Sequence, residues 1–465
     1  MDSKSKYLLK NTSILTISNF SSKILVFLLV PLYTSVLNTT EYGIYEIIMS
    51  TIQLLVPFLT LNIADGVLRF MMDTDAKKEQ IKSIGLIFVI ISTVLFFIII
   101  VVNYVFDIWN ILSEYSLETF LYYVFYVFNQ LFIQTAKGEG KVKELAIAGV
   151  ISTFVSLIAN ILLLVVIPLG LRGFFCAYIL GQLSSTLYLL FKINFLKDLT
   201  FKFDKTLIHE ILNYSLPLIF ATLGWLINNV SDRYVVAWMC GIDQNGIYSV
   251  SYKIPTIITT IQNIFIQAWT ISAIKEYKSK ERDFFYENIF LKLNALMCCC
   301  CSALIISTKI LARFLYAKDF YAAWRYVPFL LVSVVFGASS GFIGPILSAE
   351  KNSKDLAKST FYGALANLIM NFALIYHIGV QGAAIATALS NVVIYVLRQK
   401  AIRGLLINKK YKIIIISWIL ISSQATLMIC DLPIMTQLPL IVGLIYLYRE
   451  IIRDTIYKAV LKIKG

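Results

Sequence analysis

The sequence predicts an all-α integral membrane protein with about fourteen transmembrane helices: two parallel six-helix repeats followed by two C-terminal helices. Three observations predict it. The 465 residues are 58% hydrophobic and only 15% charged, with a mean hydropathy of +0.77, whereas soluble domains carry about 25% charged residues. Apolar runs long enough to cross a bilayer fill almost the whole length. Short stretches of the first half also return, in order, in the second.

The expected spans are 13–36, 44–68, 83–106, 117–136, 145–167, 173–191, 211–236, 246–271, 287–308, 326–347, 359–377, 382–397, 413–430 and 433–448. Span 382–397 is short, and the last pair is closely spaced. The start, Met1 to Lys10, is polar and leads directly into a full-length span, which does not resemble a cleaved signal peptide.

Lysine and arginine set the orientation. Of the 41, 32 fall in one alternating set of loops that includes both termini, and 6 in the other set. Lys23, Lys253 and Lys292 lie inside spans. The positive-inside rule therefore puts both termini in the cytoplasm. One outer segment dissents: "KILARFLYAKDFYAAWR" (Lys309 to Arg325) carries four positive charges and is expected as an amphipathic helix on the outer interface. Topology accounts for most of the net charge of +14. Nucleic acid is not an expected partner, because no loop is long enough to form a basic domain.

The repeat is visible residue by residue. "EYGIYEIIMST" (Glu41 to Thr51) and "QNGIYSVSYKI" (Gln244 to Ile254) share Gly-Ile-Tyr, with Gly43 and Gly246 203 positions apart. "EGKVKELA" (Glu139 to Ala146) returns as "EKNSKDLA" (Glu350 to Ala357), and Asn160 and Asn371 keep that register. "GLRGFFCAYILGQLS" (Gly170 to Ser184) aligns with "GVQGAAIATALSN" (Gly379 to Asn391), so Gly170 and Gly173 land on Gly379 and Gly382. Spans 1–6 thus recur as spans 7–12. An even number of spans per repeat keeps the orientation, so the halves are expected to be parallel, related by a pseudo-twofold axis along the membrane normal and facing a central cleft. The domains are read as 1–206, 207–404 and 405–465. This architecture suits a transporter; a duplicated scaffold that moves nothing is the blander alternative.

Five stretches carry a resemblance over almost the whole chain: "SLPLIFATLGWLINNVSDRYVV" (Ser215 to Val236), "GIYSVSYKI" (Gly246 to Ile254), "EYGIYE" (Glu41 to Glu46), "GVLRF" (Gly66 to Phe70) and "GVQGAAIATALSN". In this order and spacing they resemble the MOP superfamily (multidrug, oligosaccharidyl-lipid, polysaccharide), which is MATE-like in fold, and within it a Wzx-type polysaccharide flippase. The resemblance implies movement of an undecaprenyl-diphosphate-linked oligosaccharide repeat unit from the inner to the outer leaflet of the bacterial inner membrane. It implies no ATP hydrolysis and no cofactor, with H⁺ or Na⁺ as coupling ion. The implied partners are the lipid-linked oligosaccharide, membrane lipids and other polysaccharide-assembly proteins.

Charge inside a membrane costs at least about 2.5–3.5 kcal/mol at a helix centre, so each instance needs a reason. Lys23 lies near mid-membrane in span 1, Lys253 in the outer half of span 8, and Asp232 and Arg233 late in span 7. Asp65 and Arg69, near the cytoplasmic end of span 2, share one helix face. Lys23, Lys253, Arg69 and Arg233 are the candidates to hold a diphosphate, by point charge or bidentate fork. Asp65 and Asp232 are the candidates for ion coupling. The blander readings are a structural Asp65–Arg69 pair, an interfacial Arg233 and a snorkelling Lys292. His209 and His377 sit at span ends and read as incidental.

Other classes are weighed against this. "DTD" (Asp73 to Asp75) resembles a metal-binding DxD, but it lies in a short loop with no nucleotide-binding domain. Cys298 to Cys301 are consecutive helical residues that splay around the axis and cannot close a tetrahedral metal site. No P-loop is present, and no outer loop is large enough for a membrane polysaccharide polymerase. A multidrug antiporter of the same superfamily would want acidic walls, whereas Lys23 and Lys253 are positive. A lipid II flippase is a closer rival.

Overall fold

The computed structural model describes residues 27–73, 75–200, 204–402, 411–451 and 453. The chain forms two compact units, Met1–Leu226 and Ile227–Gly465. Among the described residues every regular element is helical. Eleven helices are long and apolar enough to cross a membrane, and Ile434–Leu447 forms a shorter apolar helical segment. The protein is therefore a multi-pass membrane protein.

In the first unit the order is α1 (Val30–Val36), α2 (Thr39–Leu59), α3 (Ile63–Met71), α4 (Lys78–Phe106), α5 (Asn110–Glu114), α6 (Ser116–Gly138), α7 (Val142–Ile161) and α8 (Gly170–Lys192), then the start of α9 (Lys205–Cys240). In the second, α10 (Ile242–Ser251), α11 (Pro255–Glu276), α12 (Arg282–Leu315), α13 (Val327–Ala349), α14 (Ser353–Ile378) and α15 (Gln381–Ala401) follow, with α16 (Tyr411–Ile429) and α17 (Leu438–Leu447) after them.

Three of the fourteen expected spans are not among the eleven found in the described residues. Most of span 1 lies outside the described residues. Span 4 is helical as α6 but too polar to pass as a span on composition, and the last span shortens to α17. Spans 2 and 8 are also interrupted. Span 2 breaks between α2 and α3, where Leu61 and Asn62 take positive φ values of 51° and 52°, two residues after a helix that already contains Pro57. Span 8 breaks at Tyr252–Ile254, because Pro255 has no N–H to continue the ladder. The bonds there shorten to three-residue spacing, Lys253 N–H to Val250 O and Ile257 N–H to Ile254 O.

The expected amphipathic helix at Lys309–Arg325 is also revised. Its first half is the end of α12, and its second is a 3₁₀ stretch, Lys318–Arg325, that buries Phe320, Ala323 and Trp324. Its charges are held locally: Lys309 pairs with Asp431 and lies 4.6 Å from the Trp324 ring.

Each unit packs its later helices in the same way. α6 and α7 both pack on α8, and α13 and α14 both pack on α15. The matched residues carry matched geometry. Gly170 and Gly379 both take positive φ, 57° and 62°, at the entry to α8 and α15. Three residues on, a Cβ on Gly173 would lie 2.5 Å from Leu163 O, and one on Gly382 would lie 2.5 Å from Leu374 O. Leu163 and Leu374 are themselves matched by the register of Asn160 and Asn371. The sequence repeat is thus a structural repeat within each unit, sustained by one backbone contact that admits no side chain.

Overpacking a close backbone contact costs about 1–3 kcal/mol. Gly173→Ala and Gly382→Ala are each expected to lower the detergent-solubilised melting temperature by several degrees. Gly443→Ala, whose Cβ would meet only Leu420 at 3.7 Å, is expected to leave it unchanged.

Candidate functional site

The second unit contains a carboxylate almost wholly withdrawn from solvent. Asp232, on the last turns of α9, is 1% exposed. An ionised carboxylate is tolerated there only with donors aimed at it, and four are. Tyr248 OH donates at 3.0 Å and Tyr252 OH at 3.2 Å. Asn371 Nδ2 donates to the other oxygen at 2.5 Å, and Thr387 Oγ1 donates as well. These donors come from α10, the turn after it, α14 and α15, so one side chain ties four segments.

The local sequence explains the convergence. Tyr248 belongs to the second Gly-Ile-Tyr, and its ring is buried among Val235, Val236, Leu330, Ile375 and Ala383. That apolar cluster fixes the ring and leaves the hydroxyl to meet the acid. The Pro255 break places Tyr252 one turn later, where it contacts both the Tyr248 hydroxyl, at 3.0 Å, and Asp232. Asn371 also donates to Asn367 Oδ1 at 3.0 Å. Among the described residues Asn371 Oδ1 and Asn367 Nδ2 are buried without a hydrogen-bond partner. Around Asp232 the chain thus offers a carboxylate, a hydroxyl and an unsatisfied amide oxygen, a donor set that suits a proton or a hard monovalent cation.

The other expected residues divide between this place and the first unit. Arg233 is half-buried beside Asp232, with its guanidinium 5.7 Å from the Tyr252 ring. Lys253 is half-buried in the interrupted turn next to Tyr252; it is not inside a continuous helix, as expected. Lys23 lies outside the described residues. Asp65 and Arg69 do not pair with each other. Asp65 accepts from Asn62 Nδ2 at 2.9 Å and Gln134 Nε2 at 2.7 Å, while Arg69 pairs with Asp73 at 2.5 Å in the open. The reason is the break at Leu61–Asn62, which starts a new helix at Ile63 and makes Asp65 a first-turn acid.

Arg69 and Asp73 stand beside a polar cleft of about 550 Å³ lined by Asp73, Asp75, Lys77, Asp204, Thr206 and Glu210, among others. Lys77 reaches Asp204 at 3.0 Å, and this hydrogen bond holds the Asp204 carboxyl below the usual carboxylate range. Within the "DTD" stretch, Asp73 is engaged by Arg69. Lys292 is half-buried on α12, and His209 and His377 are exposed.

Two buried charges escaped the sequence reading. Lys82, counted as a loop lysine, is 1% exposed and pairs with Glu139 at 2.5 Å. Lys141 completes the cluster at 2.7 Å from the same carboxylate. Lys82 and Lys141 also donate to Ile193 O and Lys192 O, so the ends of α4, α6 and α8 are clasped together. Glu139 opens one of the repeated stretches, which was the available signal. Glu46, at the end of "EYGIYE", is likewise buried.

With this geometry in view, comparison with known proteins is informative. Residues 8–271, more than half of the chain, match the polysaccharide biosynthesis protein family, and the chain belongs to that family. It is similar to Agl15 of Haloferax volcanii, described as a probable low-salt glycan biosynthesis flippase, at 23% identity over 300 residues. That alignment covers 63% of this chain and 62% of the relative, so it spans about three fifths of the relative's length. The fold is similar to that of the lipid II flippase MurJ in an inward closed conformation, with a TM-score of 0.70 and 14% identity, covering 94% of this chain and 99% of the other. It is also similar to an inward-facing multidrug resistance MATE family transporter of the MOP superfamily, with a TM-score of 0.69 and 14% identity, covering 84% and 98%. The chain thus shares its fold with these two solved proteins.

Removing one member of a buried ion pair costs about 3–5 kcal/mol, because the other charge is left uncompensated. Lys82→Met is expected to lower thermal stability markedly, and Lys82→Met with Glu139→Gln to recover much of the loss. A double mutant that melts below the single one would overturn the clasp.

Proposed function

We propose that the chain is a transporter rather than an enzyme: a flippase that moves an undecaprenyl-diphosphate-linked oligosaccharide from the inner to the outer leaflet of the bacterial inner membrane. The observation that carries the reading is the family match, polysaccharide biosynthesis, falling on a membrane fold of the MOP type. The glycan flippase among its relatives supports it. Both termini are cytoplasmic in this reading, as the loop charges require.

The cycle follows from the charges. The reading is one of alternating access, in which the substrate site opens to each leaflet in turn. Lys23 and Lys253 hold the diphosphate, with Arg69 at the inner mouth and Arg233 at the outer. The lipid tail remains in the bilayer. A diphosphate carries roughly two negative charges, and outward movement through 100 mV, inside negative, gains about 4.6 kcal/mol. Export of the headgroup is thus electrically favourable once the cavity spares it from hydrocarbon. Asp232 then takes up H⁺ or Na⁺ as the substrate leaves and resets the carrier. Its four donors and the free Asn371 oxygen support that role. Asp65, bonded to two amides in the first unit, is the weaker of the two acids for coupling.

The likeness to MurJ favours lipid II as a second substrate reading. Complementation separates the two: polysaccharide returning to the surface of a strain lacking its repeat-unit flippase supports the first, and rescue of a strain lacking its lipid II flippase supports the second.

In the first strain, Lys23→Ala and Lys253→Ala are expected to abolish export at unchanged protein levels, and Lys292→Ala to leave it near normal. Lys23→Arg should retain more activity than Lys23→Ala. Full export by both Lys23→Ala and Lys253→Ala would remove the cationic cavity. Orientation has its own measurement. Reporters fused after Asn110 or Leu432 should read outside, and one after Lys351 should read cytoplasm; a cytoplasmic signal at Asn110 overturns the assignment of the first four spans.

A further inference from the structure

We propose that the α14–α15 edge of the second unit binds an anionic phospholipid, with the lipid phosphate held at Arg398. This arginine stands one residue past its expected span and was counted among the loop charges. It lies instead in the last turn of α15, half-buried. Its guanidinium is held by two neighbouring helices. Nη1 donates to Ser340 O of α13 at 2.8 Å. Nε donates to Ser359 Oγ at 3.2 Å and Nη2 to Thr360 Oγ1 at 3.1 Å, both on α14. Those hydroxyls give their own protons to Leu356 O, at 2.8 and 3.0 Å, so they offer Arg398 lone pairs and no charge. The three contacts fix the guanidinium without neutralising it. Two of its five N–H groups remain for another acceptor, and a cation withdrawn from water is stable only with an anion to meet it. The acids at this end, Glu350 and Asp355, line a polar cleft of about 550 Å³ with Lys351 and Asn352, and Asp355 is bonded to Asn352 at the start of α14.

The repeat shows that packing does not require this arrangement. In the register that matches the two halves, Arg398 falls on Leu189, Ser359 on Ala148 and Thr360 on Gly149. Leu189 and Ala148 are buried in the first unit. The crossing of α7 and α8 is thus closed by apolar and small residues. Its copy between α14 and α15 carries a cation together with the two hydroxyls that hold it. Charge at a membrane helix is costly and needs a reason, and the apolar version shows that cohesion of the crossing is not the reason.

The surface beside Arg398 selects the partner. Lys354 and Lys358, in the first turns of α14, and Lys400, at the end of α15, are exposed. From Lys358 the open face of α14 continues at helical spacing as Phe361, Tyr362, Leu365, Ile369 and Phe372, all exposed. Cations therefore gather at one end of the helix and an aromatic and aliphatic stripe runs away from them. A phospholipid has the same order, a phosphate at one end and acyl chains below it. Basic pockets between transmembrane helices take anionic headgroups on this principle, and the lysines add attraction to a lipid of net negative charge. A soluble anion would leave the stripe unused.

The inference rests on the flippase reading only for the leaflet it faces, the inner one, and its test uses no transport. The purified full chain is melted in a neutral detergent with added phosphatidylglycerol or phosphatidylcholine. A ligand that binds the native state alone raises its melting temperature. Phosphatidylglycerol is expected to raise that of the wild type by several degrees more than phosphatidylcholine does. Arg398→Leu, which installs the first unit's residue, should lose this difference, and Lys354→Gln combined with Lys358→Gln should lose much of it. A difference of wild-type size in Arg398→Leu, or none in the wild type, overturns the proposal. Should Arg398→Leu fail to fold, a difference of wild-type size in the double lysine variant overturns it alone. Inorganic diphosphate probes the other source of phosphate. Stabilisation by it that equals that by phosphatidylglycerol, and that Arg398→Leu abolishes, would assign the site to the substrate headgroup and overturn the phospholipid. A wild-type chain that fails to complement the flippase-null strain would count against the flippase reading, while the melting experiment would still decide the lipid site.

Discussion

Lipid tails are as apolar as leucine, so a chain like this one cannot hold its helices together by hiding hydrophobic surface from its neighbours. Cohesion must come from close backbone approach and from polar contacts inside each unit, and the structure is organised around both. At Gly173 and Gly382 a helix start presses against the carbonyl of the preceding helix so closely that no side chain fits. Elsewhere polar side chains join the helices. Gln424 of α16 accepts from Ser302 of α12 at 2.7 Å and reaches Gln437 at 3.3 Å. Asn294 of α12 accepts from Trp418 of α16 at 3.3 Å. The two helices outside the repeat are thus fastened to the second unit through α12.

The same constraint governs charge. A buried charge survives in this interior only where the fold supplies partners, so each one marks a place where several segments meet. Lys82 joins the ends of α4, α6 and α8, and Asp232 joins α9, α10, α14 and α15. The two differ in what they can do. Lys82 and Glu139 neutralise each other and leave nothing to exchange, which suits a clasp. Among the described residues Asp232 is met by neutral donors, the hydroxyls of Tyr248, Tyr252 and Thr387 and the amide of Asn371. The duplicated ancestor of the two halves is visible in the glycines and in the helix packing, yet the acids have diverged: position 29, which matches Asp232 in the register of the two Gly-Ile-Tyr turns, is leucine.

Much of the fold was legible because a bilayer demands long apolar helices and leaves few alternatives. α4, α8 and α12 to α16 fall within a few residues of the expected spans. The breaks at Asn62 and Lys253 were not legible from hydropathy, since both lie inside continuous apolar runs; Pro57 and Pro255 were the local signals. Asp232 was found because an acid late in an apolar span is conspicuous. Its partners were not, because Tyr248, Asn371 and Thr387 are ordinary residues until folding brings them together. Lys82 was misread because the expected span began at residue 83 and left it in the preceding loop, while its partners, Glu139 and the carbonyl of Ile193, are far away in sequence. The blander reading of Asp65 and Arg69, a structural pair at helical spacing, does not hold: Asp65 bonds Asn62 and Gln134, and Arg69 pairs with Asp73.

The lengths of two helices carry one more consequence. α4 has 29 residues and α12 has 34, which makes them about 44 and 51 Å long at 1.5 Å per residue. The hydrocarbon of a bilayer is about 30 Å thick. Neither helix fits upright within it, so each must lean, protrude or thicken the lipid around it. Between Ile90 and Val102 of α4 the exposed side chains, Val94, Phe97, Ile98 and Val101 among them, are apolar. The protein's perimeter therefore matches a membrane by its thickness rather than by any particular headgroup, and a change in acyl-chain length acts directly on the tilt of these helices.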